Sequence, residues 1–240
     1  MEKISTDDII AIVPMRKGSK GCPNKNIADL GGKPLFLYSL LFANNLGIKA
    51  LISSDYDRSL IHPFIKNNLF LLRDSKFATD EALIEDVLLD VFEKKIIKNY
   101  KYCLLLQPTS PLRSIDTFNS LICSFLENGK SGLSLTVKEL ENNALKSGVI
   151  QDGKLININN NNKKFFQNRQ FMPKLFSPDG CMYFFSIKEF CETGGFPCNS
   201  ITPIKNDIIP SVDVDTSEDL SQLRLQIKEF LNKDGFQWMS

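Results

Sequence analysis

The chain has 240 residues, of which 42% are hydrophobic and 24% are charged, a composition typical of a globular protein with a sizeable core. Its formal net charge is +1, which argues against the strongly basic surface that nucleic acid requires. No apolar run is long enough to cross a bilayer, and residues 1–8 lack the features of a signal peptide. We therefore expect a cytoplasmic protein that binds neither nucleic acid nor a membrane.

Strands and helices are predicted to alternate through the first part of the chain. Apolar runs of the kind that parallel sheets bury on both faces predict strands at 9–13, 48–55, 69–72, 102–107 and 131–137. Helices are predicted between them at 35–46, 57–68, 81–97 and 114–127. This alternation predicts an α/β fold with a doubly wound, mostly parallel sheet. Such sheets bind ligands beyond the carboxyl ends of their strands.

The stretch from about 138 to 175 differs in character. A turn at 151–154 lies between two short predicted strands, and the asparagine-rich run 158–164 is interpreted as a loop tip. We interpret the stretch as an excursion from a single domain, residues 1–240, and as a candidate dimerisation arm. Further strands are predicted at 179–185 and 208–215, with helices at 187–192 and after Thr216.

The loop after the first predicted strand is the first candidate site. Residues 14–26 combine glycine and proline with four cations, Arg16, Lys17, Lys20 and Lys25. Glycines let backbone N–H groups approach phosphate oxygens, and the cations neutralise phosphate charge, so the pattern predicts a phosphate-binding loop. The spacing matches neither a Walker A loop nor G-x-G-x-x-G. The alternative is an ordinary strand-to-helix loop with solvated lysines.

A carboxylate pair near the end of the chain is the second candidate site. Asp213 and Asp215 are two residues apart, so in an extended strand both side chains point to the same side. Mg²⁺ is commonly held by one or two carboxylates together with phosphate oxygens and water. The pair therefore predicts a magnesium site for phosphoryl or nucleotidyl transfer, with capping of the final helix as the alternative.

The remaining reactive side chains indicate no other chemistry. The single histidine, His62, has no nucleophile motif beside it, so a catalytic triad is not expected. The six cysteines form no C-x-x-C pair, which argues against a structural zinc site.

Several motifs resemble those of the acylneuraminate cytidylyltransferases, the CMP-sialic acid synthetase family, in the same order along essentially the whole chain. The first loop, Arg16-Lys-Gly-Ser-Lys-Gly-Cys-Pro-Asn-Lys-Asn26, is similar to the family pattern R-x-x-S-K-x-x-x-x-K-N. The further matches include Gly32-Lys-Pro34, Ser54-Asp55, Ala78-Thr-Asp80, Leu106-Gln-Pro-Thr-Ser-Pro-Leu-Arg113, Arg169-Gln170 and Asp213-Val-Asp-Thr216.

The resemblance implies a nucleotide-diphospho-sugar transferase-like, Rossmann-like fold and a Mg²⁺-dependent homodimer. Its implied reaction is transfer of CMP from CTP to the anomeric hydroxyl of a nonulosonic acid, with release of pyrophosphate. The implied triphosphate ligands are Arg16, Ser19, Lys20 and Lys25, with Asn26 shaping their loop. The implied cytidine contacts are Arg73 and Gln107, and the implied metal ligands are Asp213 and Asp215. The implied sugar-acid contacts are Lys146, Arg169, Gln170 and Tyr183.

Among these residues, Arg16, Lys20, Lys25 and Asp215 are the expected catalytic set. Lys17 falls outside the family motif and is expected to be solvated. The arginine at 169 offers a bidentate donor pair to the sugar carboxylate, but a solvated loop charge is the alternative.

Two positions depart from the family pattern, and both belong to the sugar half of the expected site. Ser177 lies where family members often carry arginine, and Asp179 lies where asparagine is usual. CMP transfer is therefore better supported than sialic acid as the acceptor, and a related acid such as legionaminic or pseudaminic acid is a plausible acceptor. The alternatives are a nucleotidyltransferase that uses another nucleotide or a sugar acid such as KDO, and a non-catalytic nucleotide-binding module.

Overall fold

The computed structural model describes residues 3–140, 142–206, 212–231 and 236–239. Its strands are β1 (Ile9–Met15), β2 (Asp29–Leu30), β3 (Lys33–Pro34), β4 (Lys49–Ser54), β5 (Leu69–Leu72), β6 (Tyr102–Leu105), β7 (Leu133–Leu140), β8 (Gly148–Gln151), β9 (Lys154–Asn157), β10 (Leu175–Ser186) and β11 (Ile201–Lys205). Its α-helices are α1 (Leu37–Asn45), α2 (Arg58–Ile65), α3 (Ile84–Phe92), α4 (Ile115–Glu127), α5 (Ile187–Thr193) and α6 (Ser217–Leu231).

Within the described residues, seven strands form one sheet in the order β11-β7-β10-β6-β1-β4-β5. Strand β10 is antiparallel to both of its neighbours, and every other neighbouring pair is parallel. The prediction of a doubly wound, mostly parallel sheet is confirmed. Two small hairpins, β2–β3 and β8–β9, lie outside this sheet.

Strand β1 runs through the middle of the sheet, and its alternate side chains enter two separate cores. Ile9, Ala11 and Val13 pack with residues of α1, α4 and α6 on one face. Ile10 and Ile12 pack with residues of α3 and α5 on the other face. Because both faces are covered by helices, the apolar run of β1 is buried and its carboxyl end is held in a fixed position.

Two predicted elements differ markedly from the structure, and one observed strand was not predicted. The helix predicted at 81–97 was wrong in length, because extended backbone at Leu83 and Lys94 limits α3 to Ile84–Phe92. Strand β11 was missed, because its side chains alternate between exposed and half-buried at the edge of the sheet. The strand predicted at 208–215 lies partly outside the described residues, and 212–215 form no strand.

Helix α6 was predicted correctly, and the hydrogen bonds of its first turn show which side chains cap it. The Asp219 N–H donates to Thr216 Oγ1 at 3.1 Å, and the Thr216 N–H donates to Asp219 Oδ2 at 2.8 Å. This reciprocal pair is a capping box, and its hydrogen bonds lower the pKa of Asp219. Since Thr216 and Asp219 cap the helix, the side chains of Asp213 and Asp215 are not needed for that purpose.

Among the described residues, no helix combines the length and apolarity needed to cross a membrane.

Candidate active site

A cleft of about 600 Å³ lies where β1, β5 and β6 end. Five segments line it: the loop after β1, the loop after β5, helix α3, the turn after β6 and the segment that precedes α6. The residues predicted for the nucleotide and the metal all line this cleft, namely Arg16, Ser19, Lys20, Lys25, Asn26, Arg73, Gln107, Asp213 and Asp215. Residues that are far apart in sequence therefore meet at one edge of the sheet, as expected for a parallel α/β fold.

The loop after β1 is fixed at both ends. Buried Asn26 donates from Nδ2 to the Arg16 carbonyl oxygen at 2.9 Å, which joins the beginning of the loop to its end. A Cβ atom at Gly21 would lie 2.5 Å from the Asp215 carbonyl oxygen, so this position requires glycine. The loop therefore packs directly against the carboxylate segment, a contact that the sequence did not predict.

The three lysine and arginine side chains of this loop that line the cleft all contact carboxylates. Lys20 Nζ lies 2.7 Å from Asp80 Oδ2, and Arg16 Nη2 donates to Asp80 Oδ1. These hydrogen bonds, first from Lys20 and then from Arg16, hold the pKa of Asp80 below its usual range. Lys25 Nζ lies 3.0 Å from Asp215 Oδ1 and donates to the Val214 carbonyl oxygen at 2.9 Å. Asp80 was noted in a family motif but received no role from the sequence.

Arg73 is a buried cation at the end of β5. Its Nη2 donates to the Ser53 carbonyl oxygen at 2.7 Å, and its backbone N–H donates to the Ser54 carbonyl oxygen at 2.8 Å. Burial lowers the pKa of Arg73 to about 10, so the guanidinium stays charged at neutral pH. The side chain is thus held rigidly against the end of β4 while it lines the cleft.

Gln107 is positioned by two residues to which the sequence gave no role. The backbone carbonyl oxygen of Gln107 accepts a hydrogen bond from Nη2 of the fully buried Arg113 at 2.7 Å. Arg113 Nε also donates to the backbone carbonyl oxygen of Cys181 at 3.1 Å. A Cβ atom at Gly180 would lie 2.7 Å from Gln107 Oε1. Arg113 ends a motif visible in the sequence, but only the fold shows that β6, which precedes Gln107, pairs with β10.

Asp213 and Asp215 line the same cleft in different environments. Asp213 is half-buried, and its Oδ1 is buried without a hydrogen-bond partner among the described residues. Burial raises the pKa of Asp213, and a hydrogen bond with Thr109 opposes that shift. The Asp215 side chain is 71% exposed and contacts Lys25. The Val214 N–H donates to the Thr109 carbonyl oxygen at 2.8 Å, which ties this segment to the turn after β6.

The donor set of the pair fits a magnesium ion that completes its coordination with phosphate oxygens and water. The described residues contain no group of three or more His, Cys, Asp or Glu side chains that could hold a metal. Mg²⁺ does not need such a group, because one or two carboxylates are its usual protein ligands at nucleotide sites. The unpartnered Oδ1 of Asp213 is an oxygen that a metal ion could coordinate.

A comparison with protein-family models gives one match, described as cytidylyltransferase, over residues 10–229. This chain belongs to the cytidylyltransferase family. The family resemblance predicted from the motifs is thereby confirmed, and the protein is an enzyme of the nucleotidyltransferase class.

Relatives of this cytidylyltransferase match it along most of its length. It is 29% identical over 232 residues to the pseudaminic acid cytidylyltransferase of Campylobacter jejuni, covering 91% of this chain and 96% of the relative. It is 26% identical over 220 residues to the CMP-N,N'-diacetyllegionaminic acid synthase of Legionella pneumophila, covering 88% of this chain and 92% of the relative. The solved CMP:2-keto-3-deoxy-manno-octonic acid synthetase complexed with CTP has the same fold, with a TM-score of 0.67 at 13% identity over 92% of this chain and 98% of that one.

The residues predicted for the sugar acid are not among the described residues that line the cleft of the cytidylyltransferase. Lys146 is half-buried at the end of a 3-10 turn, and Gln170 is exposed in a second turn. Tyr183 is stacked on Phe196 with 5.8 Å between ring centroids, and burial raises its pKa to about 12. The side chain of Arg169 lies outside the described part of the chain. One chain therefore brings the nucleotide half of the predicted site together, with Tyr183 close enough to feel the charge of Asp213, whereas Lys146 and Gln170 do not line the cleft.

The two departures from the family pattern have different surroundings. Ser177 in β10 lies opposite Lys138 in β7, so a cation is present on the neighbouring strand. Asp179 is buried and accepts hydrogen bonds from Thr136 Oγ1, from the Cys181 N–H at 2.9 Å and from Asn206 Nδ2 at 2.9 Å. Its carboxylate is satisfied by the protein interior, so Asp179 is a structural residue of the β10 bulge beside Gly180.

Proposed function

We propose that this cytidylyltransferase transfers CMP from CTP to the anomeric hydroxyl of a nonulosonic acid of the sialic, legionaminic or pseudaminic type, with release of pyrophosphate. The observation that carries the proposal is the convergence of four cations and two carboxylates, Arg16, Lys20, Lys25, Arg73, Asp213 and Asp215, on one cleft. The full-length relatives named for pseudaminic and legionaminic acids support the acceptor class.

In the proposed reaction, the cations of the first loop bind the triphosphate. Transfer moves negative charge from the α-phosphate to the departing pyrophosphate, so fixed cations beside the β- and γ-phosphates stabilise the transition state. Arg16, Lys20 and Lys25 supply this charge, and Asn26 holds their loop in shape through the Arg16 carbonyl oxygen. Because the loop is anchored before the nucleotide arrives, little reorganisation is needed during the reaction.

We propose that Asp213 and Asp215 hold Mg²⁺ in this reaction. When bound, Mg²⁺ would act as a Lewis acid on phosphate oxygens. The chain's own contribution is to keep Asp213 in place through Thr109 and Val214 and to keep Asp215 next to Lys25. Burial and, to a smaller extent, the like charge of Asp215 raise the pKa of Asp213. A bound cation would favour the ionised form of both carboxylates.

The cytidine is proposed to contact Arg73 and Gln107. A glutamine amide carries both a donor and an acceptor, so it can pair with a base edge that presents both. Arg113 and Gly180 fix the position of Gln107, and burial fixes Arg73. The two side chains therefore form a rigid base-binding wall beside the phosphate loop.

We further propose a homodimer in which the arm, defined as residues 138–175, completes the cleft of the partner with Lys146, Arg169 and Gln170. The arm exposes large apolar side chains that one chain leaves uncovered, with Ile150 77% and Phe166 87% exposed. Apolar patches of this kind mark interaction surfaces. Tyr183, which lies in β10 rather than in the arm, stays a proposed sugar contact at the base of the site. Since CTP is an intracellular metabolite, the proposal keeps the predicted cytoplasmic location.

The function is tested by measuring pyrophosphate release from CTP, UTP or ATP with Mg²⁺ and a panel of sialic, legionaminic, pseudaminic and KDO acids. We expect release with CTP and at least one nine-carbon acid, and no release after addition of EDTA. Release with UTP or ATP but not with CTP would overturn the nucleotide assignment, and release with KDO alone would overturn the acceptor class. No release with any pair would favour a non-catalytic nucleotide-binding module.

A further inference from the structure

Asp80 contacts two cations of the loop that follows β1. It lies in the irregular segment between the 3-10 turn Ser75–Phe77 and helix α3, and it lines the cleft. Each of its two carboxylate oxygens contacts a different cation, Oδ1 with Arg16 and Oδ2 with Lys20 at 2.7 Å. A single anion therefore bridges two of the cations that the proposed function assigns to the triphosphate.

These contacts use donors that a triphosphate also requires. Carboxylate and phosphate both present anionic oxygens that accept charge-assisted hydrogen bonds from arginine and lysine. Arg16 donates from Nη1 to the Gly18 carbonyl oxygen at 3.1 Å and from Nη2 to Asp80. When Asp80 occupies Arg16 and Lys20, phosphate oxygens must displace it in order to contact the same groups.

Folding stability does not account for the contact between Asp80 and Lys20. The Lys20 side chain is 80% exposed, and ion pairs formed by exposed side chains add little to stability because water and salt screen them. The nearby acid Asp55 accepts a hydrogen bond from the Lys17 backbone N–H at 2.8 Å and is not bonded to a side-chain cation of the loop. Asp80 is thus placed specifically between the two phosphate-binding cations.

We propose that Asp80 is a positioning residue that takes the place of phosphate oxygens on Arg16 and Lys20 before CTP binds and again as pyrophosphate leaves. It keeps both cations directed at the cleft and lowers the affinity of the cleft for polyphosphate, which speeds release of the product. No bond is made or broken, since the exchange is between two sets of hydrogen bonds. The inference rests on the proposed function, because it requires these cations to bind the triphosphate of CTP.

The test is isothermal titration of wild-type protein and Asp80→Asn with inorganic pyrophosphate and with CTP, in low-salt buffer containing EDTA. Asparagine keeps the shape of the side chain but removes its charge. We expect Asp80→Asn to bind pyrophosphate at least about fivefold more tightly, with a steeper dependence on salt, because two cations lose their anionic partner. In steady-state assays with Mg²⁺, pyrophosphate should also inhibit the variant at lower concentration.

The matched control is Asp116→Asn, which removes one carboxylate from the exposed first turn of α4, outside the cleft lining. Its pyrophosphate affinity should equal that of the wild type. Equal or weaker pyrophosphate binding by Asp80→Asn, in a protein that unfolds at the wild-type temperature, would overturn the inference. If the wild type transfers CMP but Asp80→Asn does not bind more tightly, only the role of Asp80 fails. If the wild type binds no CTP when Mg²⁺ replaces EDTA and releases no pyrophosphate from CTP with any sugar acid, the proposed function fails with it.

Discussion

The nucleotide half and the sugar half of the proposed site are built in different ways. The residues of the nucleotide half follow strands of one sheet or precede helix α6, so the fold of a single chain places them together. Most residues of the sugar half lie in the arm, whose elements are 3-10 turns and the β8–β9 hairpin. Under the proposed function, the loops at the edge of the sheet would bind CTP, and the arm would contact the sugar acid.

The arm also lacks the burial that stabilises the sheet. Its hairpin has strands of four residues each, and a two-stranded hairpin of that size is marginally stable alone. Val149, Ile150 and Leu155 on the hairpin are exposed. A partner surface would cover them and would fix the positions of Lys146 and Gln170 at the same time.

The largest effect is expected for Asp215→Asn, which tests the nucleotide half. Turnover should fall at least about 100-fold, because a metal ligand contributes several kcal/mol to transition-state stabilisation. The fold should be retained, since the Asp215 side chain is 71% exposed. The measurements are kcat at saturating CTP, sugar acid and Mg²⁺, together with the unfolding temperature. Unchanged kcat at saturating Mg²⁺ would remove Asp215 from the metal site.

Lys20→Ala should have the next largest effect and should act on the nucleotide alone. The lost charge-assisted hydrogen bonds predict a fall in kcat/KM for CTP of roughly 10- to 100-fold, equivalent to about 1.5–3 kcal/mol. The KM for the sugar acid should not change, and steady-state kinetics with each substrate varied in turn would show this. If CTP affinity and rate both stay at wild-type values, the first loop is not the triphosphate site.

Lys146→Ala should have a moderate effect and should act on the sugar acid alone. We expect its KM for the sugar acid to rise about tenfold because a cation that faces the carboxylate is lost, while the KM for CTP stays within about twofold. Kinetics at varied sugar acid and fixed CTP provide the measurement. A rise in the KM for CTP of the same size would show that the two halves of the site are not separate.

Mixing Lys146→Ala and Asp215→Asn subunits tests whether the arm of one subunit completes the cleft of the other. If the arm completes the partner's cleft, a mixed dimer has one site with both an intact cleft and an intact arm. Activity at low sugar-acid concentration should then rise above the mean of the two separate variants. Activity that equals that mean after subunit exchange would place Lys146 in the site of its own chain.

The smallest effect is expected for Lys17→Ala, the matched control for Lys20→Ala. Both changes remove one lysine from the same loop, but Lys17 is exposed and is not among the described residues that line the cleft. Its kcat and both KM values should stay within about twofold of wild type. A large loss would mean that the net charge of the loop, rather than the position of each cation, determines nucleotide binding.

The sequence predicts most strands of the large sheet and the nucleotide half of the site, but it misses strand β11. Strand β5 was predicted at 69–72 with the bounds that the structure has, because a short apolar run between turn residues has one plausible role in an α/β fold. The position of the cleft followed from the alternation of strands and helices, since polar clusters such as 14–26 and 107–113 follow the carboxyl ends of predicted strands. Strand β11 was missed because Thr202, Pro203 and Lys205 interrupt its apolar residues, whereas the other edge strand, β5, is apolar throughout.

Sequence patterns did not predict the side-chain contacts between segments that are far apart in the chain. Asp80 and Arg16 are 64 residues apart, and nothing in either segment indicates that their side chains meet. The sequence does not show that Arg113 is fully buried, because its burial depends on the pairing of β6 with β10. Asp213 and Asp215 were placed on a strand, whereas the structure holds their segment through Thr109 and Lys25 without strand pairing.

We propose above that the cleft transfers CMP from CTP in a reaction that depends on Asp213 and Asp215. The most direct test is to incubate CTP labelled at the α-phosphate with Mg²⁺ and pseudaminic or legionaminic acid, and to separate the products. The wild type should place the label in a CMP–sugar acid conjugate together with one equivalent of pyrophosphate, and Asp215→Asn should form almost none. Label recovered only as free CMP, or an equal yield of conjugate from Asp215→Asn, would contradict the account.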